Sequence, residues 1–192
     1  MKKETVLFTV VALIVGLLGG YLIFSISNAG KGSQQAAANG SEGVMSPNDY
    51  TLRIAQAEKI VAAEPKNINV WISLGNDYFD TEQVPKAINA YGKALELDPN
   101  NSNVLTDQGV MYRKMGWYDK ALANFMKANK VNPKHLPSLF NIAMVYQVDM
   151  KQPEKALPYL QEYLKQDSTS QTAQQAKELL EQAGKAPAPK MK

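Results

Sequence analysis

The stretch INVWISLGNDYFDTEQVPKAINAYGKALELDPNN, residues 68–101, is followed at once by SNVLTDQGVMYRKMGWYDKALANFMKANKVNPKH, residues 102–135. The two stretches repeat one pattern, because Gly75 and Tyr78 return 34 positions later as Gly109 and Tyr112. A fixed period of this kind is typical of solenoids, in which similar units stack and share a continuous core. The sequence therefore predicts a repeat protein, and the repeat sets the boundaries of the other segments.

Each unit is predicted to consist of two helices joined by a short turn. In the first copy we expect helices over residues 68–80 and 85–97. Gly75 and Ala87 are small, as is required where two helices cross closely. Pro99 ends the second helix, because a residue that precedes proline avoids the helical region. No unit can bury its apolar side alone, so the units must stack.

A third, degraded copy follows the first two. Ala156 comes ten residues after Tyr146, whereas nine residues separate the matching pairs in the first two copies. We therefore expect the turn at residues 149–153 to be one residue longer. Pro158 should kink the second helix or make it begin late. Tyr163 replaces a small alanine, which predicts that the next element is not a regular repeat helix.

The residues that the copies share resemble the tetratricopeptide repeat family. The first copy has the whole pattern, and the second departs from it only at Gln108, where leucine is usual. The matching residues of the first copy are Trp71, Leu74, Gly75, Tyr78, Ala87, Tyr91, Ala94 and Pro99. The resemblance implies an all-α fold, a short α-solenoid of three helix-turn-helix units at residues 68–101, 102–135 and 136–169.

The flanking segments have their own predictions. We expect an N-terminal flanking helix at residues 48–66 and a capping helix at residues 170–184, which ends at Gly184. Residues 185–192 are basic and contain two prolines, and they are expected to form a disordered tail.

The family resemblance also implies a ligand groove, lined by the second, fifth, ninth and twelfth residues of each unit. The residues at these groove positions are Asn69, Ile72, Asn76, Phe79, Asn103, Thr106, Val110, Arg113, Pro137, Phe140, Met144 and Gln147, and all except Pro137 are partner-binding candidates. Apolar groups stand beside amides, and exposed apolar patches often mark interaction sites. The alternative is that some of these side chains pack against one another or against the terminal helix.

One ligand class is disfavoured by the same comparison. Asn76 matches an asparagine of the carboxylate clamp that some family members use for acidic C-terminal peptides. The lysine positions of that clamp hold Ile72 and Pro137 here, and its second asparagine position holds Val110. We therefore do not expect this chain to bind an acidic peptide in that manner.

Trp117 lies in the turn of the second unit, where a polar residue is usual. Tryptophan is enriched at protein interfaces, so Trp117 is a candidate for a secondary interface. The alternative is that its ring lies over Tyr118 or over the preceding turn.

The N-terminal segment reads as a membrane anchor. Residues 5–27, TVLFTVVALIVGLLGGYLIFSIS, carry no charge and are long enough for a hydrocarbon core of about 30 Å. Lys2 and Lys3 place residues 1–4 in the cytoplasm by the positive-inside rule, and the repeats outside it. The expected location is therefore the inner membrane, single-pass, with a periplasmic repeat domain. The alternative is a signal peptide cleaved after Ala29.

Two further features lie in or next to this segment, a pair of glycines and a linker. Gly16 and Gly20 are spaced like a small-xxx-small pair, which predicts a transmembrane dimer face, although glycine is also simply common in such helices. Residues 28–47 are rich in Gly, Ser, Gln, Asn and Ala, which is typical of a flexible linker.

The sequence contains no pattern that predicts catalysis. There is no cysteine, and His135 is the single histidine, placed in a turn where the repeat pattern assigns it no partner. The net charge of +3 is too small to predict nucleic-acid binding. We expect neither a cofactor nor a metal site.

The sequence thus predicts a non-catalytic, membrane-tethered scaffold that binds a protein or peptide, for assembly of a bacterial envelope complex. Cytochrome maturation, pilus and secretion systems are examples of such complexes. The alternatives are a permanent structural subunit of a membrane enzyme, a periplasmic chaperone-like holder, and an organelle import receptor with cytosolic repeats.

Overall fold

The computed structural model describes residues 46–185, which form eight helices and no strand. The helices are α1 (Pro47–Ala63), α2 (Ile68–Asp80), α3 (Val84–Leu97), α4 (Ser102–Lys114), α5 (Tyr118–Val131), α6 (Leu136–Met144, continued by a π-helix over Val145–Asp149), α7 (Pro153–Gln166) and α8 (Gln171–Lys185). Each helix packs against the next, and α2–α3, α4–α5 and α6–α7 are the three repeat units. The predicted all-α solenoid is confirmed for this part of the chain.

The membrane prediction lies outside the described residues. None of the helices in residues 46–185 is both long and apolar enough to span a bilayer. Residues 5–27, the Gly16 and Gly20 pair, nearly all of the linker 28–47 and the end of the tail fall outside the described range.

The helix starts follow from local capping chemistry. Asn67 and Asn101 occupy equivalent positions, and their side-chain oxygens accept hydrogen bonds from Val70 N (3.4 Å) and Val104 N (3.2 Å). Helix α1 begins one residue earlier than predicted, because Ser46 and Asp49 form a reciprocal capping box at its start. The first buried residue of this helix, Ile54, lies about two turns further on.

The two helices of a unit cross where glycine faces an aromatic ring. A Cβ on Gly75 would lie 2.5 Å from Cε1 of Tyr91, and one on Gly109 would lie 2.5 Å from Cε1 of Phe125. Both rings are fully buried. The prediction of a close crossing at Gly75 is met by this geometry, and the ring of the second helix is the reason for it.

The third unit corrects one prediction. Its turn, residues 150–152, has the same length as residues 81–83 and 115–117, so the expected longer turn is wrong. The extra residue lies in the first helix, whose last turn is a π-helix closed by a bond from Met150 N to Val145 O (2.8 Å). A π-bulge accommodates one added residue by widening a single turn.

Two expectations about the C-terminal helices are also corrected. Helix α7 begins at Pro153 and continues through Pro158, so the late start is wrong. Helix α8 runs to Lys185 and does not end at Gly184. Tyr163 is buried in a cluster with Ala173 and Ala176 of α8, whose small side chains leave room for the ring.

Helix α1 covers the open end of the first unit. Its apolar side is buried against α2 in one cluster with Leu74 and Tyr78. Arg53 forms an ion pair with the buried Asp77 (2.6 Å), and Tyr78 donates to Glu58 Oε1. Burial raises the pKa of the Asp77 carboxyl, and the Arg53 guanidinium opposes that shift.

The glycine–ring contacts predict a sharp response to one methyl group. Gly75→Ala and Gly109→Ala should each lower the free energy of unfolding by about 1–3 kcal/mol, because the new Cβ overlaps a buried ring that cannot move away. Gly92→Ala is the matched control, since its Cβ meets only Gln108 Nε2 at 3.4 Å. It should stabilise α3 by up to about 1 kcal/mol. Urea unfolding followed by circular dichroism measures all three, and equal effects at Gly75 and Gly92 would contradict the crossing geometry.

The turn between the two helices of each repeat unit has a middle residue in the left-handed region of φ and ψ. These residues are Glu82 (φ 57°), Gly116 (φ 73°) and Lys151 (φ 57°). Lys151→Gly should raise the free energy of unfolding by about 0.5–1 kcal/mol, because glycine adopts this conformation without steric cost. Lys127→Gly, at an exposed position within α5, should lower it by a similar amount. Thermal melts of the two variants should therefore shift in opposite directions, and a shared direction would refute the assignment.

Candidate functional site

A cleft of about 370 Å³ lies between α2, α4 and the start of α6. We call it the inter-repeat cleft. Its lining residues are Ile72, Asn76, Asn101, Asn103, Val104, Thr106, Asp107, His135 and Pro137. Five of the predicted groove residues are therefore brought together: Ile72, Asn76, Asn103, Thr106 and Pro137. Their role in binding stays a prediction.

The other predicted groove residues do not line this cleft, and several are engaged within the protein. Arg113 pairs with Asp149 through two nitrogen–oxygen contacts of 2.5 and 3.3 Å. Gln147 donates to Leu179 O of α8 (2.9 Å), and the Phe140 ring lies 5.9 Å from the Tyr163 ring. Of these three residues, Gln147 fits the packing alternative because it bonds to the terminal helix, whereas Arg113 and Phe140 contact residues of the third unit.

The remaining groove candidates are Asn69, Phe79, Val110 and Met144. Asn69 is exposed, and Val110 and Met144 are half-buried. The Phe79 ring is half-buried and has the Lys114 ammonium 5.5 Å from its centroid. These residues extend the α2, α4 and α6 surfaces beyond the inter-repeat cleft.

Internal hydrogen bonds fix the amides of the cleft. The Tyr91 hydroxyl donates to Asn76 Oδ1 (2.9 Å), so the acceptor of this amide is occupied and its NH₂ group keeps its donors. Thr106 donates to Ser102 O (2.9 Å) and is buried. A side chain held in this way loses little further freedom when a ligand arrives.

His135 has partners that the sequence reasoning missed. Its Nε2 lies 3.0 Å from Asn103 Oδ1, and its Nδ1 lies 3.4 Å from Thr106 Oγ1. The expectation of a histidine without a partner is wrong. The repeat could have indicated these contacts, because His135 stands 34 residues after Asn101, at the helix-capping position of the third unit. Its side chain forms no capping hydrogen bond, and its ring lies instead against the second unit.

Asp107 was also missed, because the sixth residue of a unit is not one of the four groove positions. Burial raises the pKa of its carboxyl to about 6. Within residues 46–185 no group donates a hydrogen bond to this carboxylate. Burial also lowers the pKa of the His135 imidazole. Near neutral pH the cleft therefore holds one net negative charge.

Trp117 lies against Tyr112 and not against Tyr118. The two rings are 5.9 Å apart, and the Lys120 ammonium lies 4.5 Å from the Trp117 centroid. The indole remains 44% exposed beside a second cavity of about 470 Å³, which Met150 also lines. A role as a secondary interface stays a prediction.

The chain matches two models of one family. The TPR repeat model matches residues 75–116, and the tetratricopeptide repeat model matches residues 102–135 and 136–170. Together the matches run from residue 75 to residue 170, half of the 192-residue chain.

No cluster of three His, Cys, Asp or Glu side chains suited to a metal ion occurs in the part of the chain that the structure describes.

Curated relatives share the repeats over a short stretch. Tetratricopeptide repeat protein 37 of Xenopus laevis is 35% identical over 41% of this chain, and Superkiller complex protein 3 of Homo sapiens is 32% identical over 46% of it. The chain spans only 5% and 6% of the lengths of these two proteins. The likeness therefore concerns the repeats alone.

Solved structures share the fold. MamA superposes with a TM-score of 0.63 at 21% identity, covering 72% of this chain and 84% of its own. The TPR2B domain of yeast Sti1, solved as a complex with pHsp70, superposes with a TM-score of 0.53 at 18% identity, covering 69% of this chain and 97% of its own. The repeat pattern, the helix order and the matched models agree, and this chain belongs to the tetratricopeptide repeat family.

Proposed function

We propose that this protein is a non-catalytic scaffold that is tethered to a membrane and binds a segment of a partner protein in the inter-repeat cleft. The observation that supports it most directly is the cleft itself, which is open and lined by amides held in place by internal bonds. Members of the family act as protein–protein interaction scaffolds. The TPR2B domain of Sti1, in its complex with pHsp70, is an example of this fold with a partner.

The tether and the location rest on the sequence. Residues 5–27 have the length and composition of a membrane-spanning helix, and the lysines before them favour a cytoplasmic N-terminus. A linker of twenty residues has a typical reach of about 25 Å. The domain would then work in the periplasm close to the inner membrane, in the assembly of an envelope complex such as a cytochrome maturation, pilus or secretion system.

Three alternatives make different demands. A permanent structural subunit would copurify in fixed stoichiometry with one membrane enzyme. A chaperone-like holder would exchange among many clients and remain substoichiometric. An import receptor would require its repeats in the cytosol. The structural subunit and the holder are therefore distinguished by the ratio in which partners copurify with the chain. The import receptor is distinguished by the side of the membrane on which the repeats lie.

The cleft assignment predicts the effect of removing its amides. Asn76→Ala with Asn103→Ala should weaken partner binding about tenfold, because two positioned hydrogen-bonding groups are lost. The readout is quantitative mass spectrometry of proteins that copurify with the full-length chain in mild detergent. Thermal melts of each variant separate lost binding from lost folding, since Tyr91 and His135 lose partners in this variant.

The matched control carries the same chemical change elsewhere. Asn48→Ala with Asn89→Ala removes two exposed amides outside the cleft and should leave every companion in place. If both double variants retain the same companions in the same amounts, the cleft is not the binding site.

The predicted topology is testable because the chain has no cysteine. A membrane-impermeant maleimide should label Ser168→Cys, an exposed position, in intact spheroplasts. Glu4→Cys, at the predicted cytoplasmic end, should be labelled only after lysis. The reverse pattern would place the repeats in the cytosol and favour the import-receptor alternative, and recovery of both variants in the soluble fraction would rule out the tether.

A further inference from the structure

The inter-repeat cleft has a charge that its lining leaves unbalanced. Asp107 is the one acidic side chain among the nine lining residues, and none of them is a lysine or an arginine. The two basic residues near the end of the same helix are committed elsewhere, since Arg113 pairs with Asp149 and Lys114 pairs with Glu82 (2.6 Å). The described part of the protein therefore supplies no cation to this carboxylate.

Asp107 is half-buried, and leaving a partly desolvated carboxylate unpaired is unfavourable. The neighbouring helices bring only weak or occupied groups to Asp107. Helix α2 contributes the neutral amide of Asn76, α3 contributes the Tyr91 hydroxyl that already donates to Asn76, and the start of α6 contributes the His135 imidazole. A cationic ligand group would supply the missing partner.

The apolar part of the lining fits the rest of such a group. Ile72, Val104 and Pro137 line the cleft together with the carboxylate. Lysine and arginine bury a methylene stem along apolar surface and place the charge at its end. The Asn76 NH₂ donors remain for a carbonyl of the same segment.

We propose that the partner segment places a lysine or arginine side chain in the inter-repeat cleft, with its charged end on Asp107. This inference rests on the proposed function, because it takes the cleft as the binding site. It gives the site a selectivity opposite to that of a carboxylate clamp. A segment with a glutamate or a free C-terminus at this point would meet a like charge.

The pairing is expected to depend on pH. The ligand cation stays charged across the range of interest, so the ion pair requires the ionised form of Asp107. Its pKa is raised to about 6, and the attraction should be full above pH 7 and fall as the pH drops through about 6. Protonation of His135 on the acidic side adds a positive charge to the cleft and acts in the same direction.

The probes are three pools of twelve-residue peptides with N-terminal acetyl and C-terminal amide groups. The central residue is lysine in the first pool, acetyl-lysine in the second and glutamate in the third. All other positions are randomised among uncharged residues. Acetylation removes the charge and keeps the stem. Fluorescence polarisation with the full-length protein in detergent micelles at pH 7.5 should show the lysine pool binding about tenfold more tightly than the acetyl-lysine pool, with the glutamate pool weakest.

Variants assign that preference to one residue. Asp107→Asn should bring the lysine and acetyl-lysine pools to equal affinity, while Asp119→Asn, the same change at an exposed site on α5, should preserve the difference. Lowering the pH from 7.5 to 5 should also remove the preference. Equal affinities in the wild-type protein, or a preference that survives in Asp107→Asn, would overturn the inference.

Further outcomes keep the two proposals apart. Binding of all three pools that is lost in the Asn76→Ala, Asn103→Ala variant but insensitive to charge would support the cleft and overturn the cation. Binding of no pool would overturn both. If removal of residues 186–192 tightens binding of the lysine pool, the occupant is the basic tail of this chain, and the choice of a partner segment is wrong.

Discussion

The contact between a ring on the second helix and a glycine on the first determines how far apart the two helices stand in each of the first two units. At Gly75 the Tyr91 ring occupies the place of a side chain, and at Gly109 the Phe125 ring does the same. The third unit divides the volume differently, since Ala143 and Leu160 share one buried cluster. A larger residue on the first helix is thus offset by a smaller one on the second, as close packing requires.

This contact also reaches the inter-repeat cleft. The Tyr91 hydroxyl passes beyond Gly75 and donates to Asn76, whose side chain lines the cleft. In the second unit Phe125 has no hydroxyl, and the residue equivalent to Asn76 is the apolar Val110. Asn76 thus satisfies the hydroxyl of Tyr91, whereas Phe125 has no polar group that needs a partner at Val110. The polarity of a groove position therefore depends on the core of its own unit.

The repeat period predicts much of this fold, because it reports equivalent positions. It gave the first helix of the first unit at its observed bounds and located the N-terminal flanking helix to within a few residues, whereas the C-terminal helix followed from its own amphipathic pattern. It could show that the third unit has one more residue, but it could not say where that residue lies. The turn keeps its length because its bonds are preserved: Gln83 N bonds to Tyr78 O and Gln152 N bonds to Tyr146 O, both at 2.8 Å. The helix was the element that could widen.

The site was less predictable than the fold, since its chemistry depends on contacts between units. Family positions identified Asn76 and Asn103 of the cleft but not Asp107, which is not one of the groove positions. They also missed His135, which stands where a capping residue is usual. Net charge was no guide either, because the chain is positive as a whole and the cleft is negative. Surface lysines in water are screened and select weakly. Asp107 is half-buried, so its carboxylate responds more strongly than a surface group to the charge of whatever enters the cleft. The selectivity that we propose for the cleft therefore depends on this one partly desolvated group and not on the overall charge of the chain.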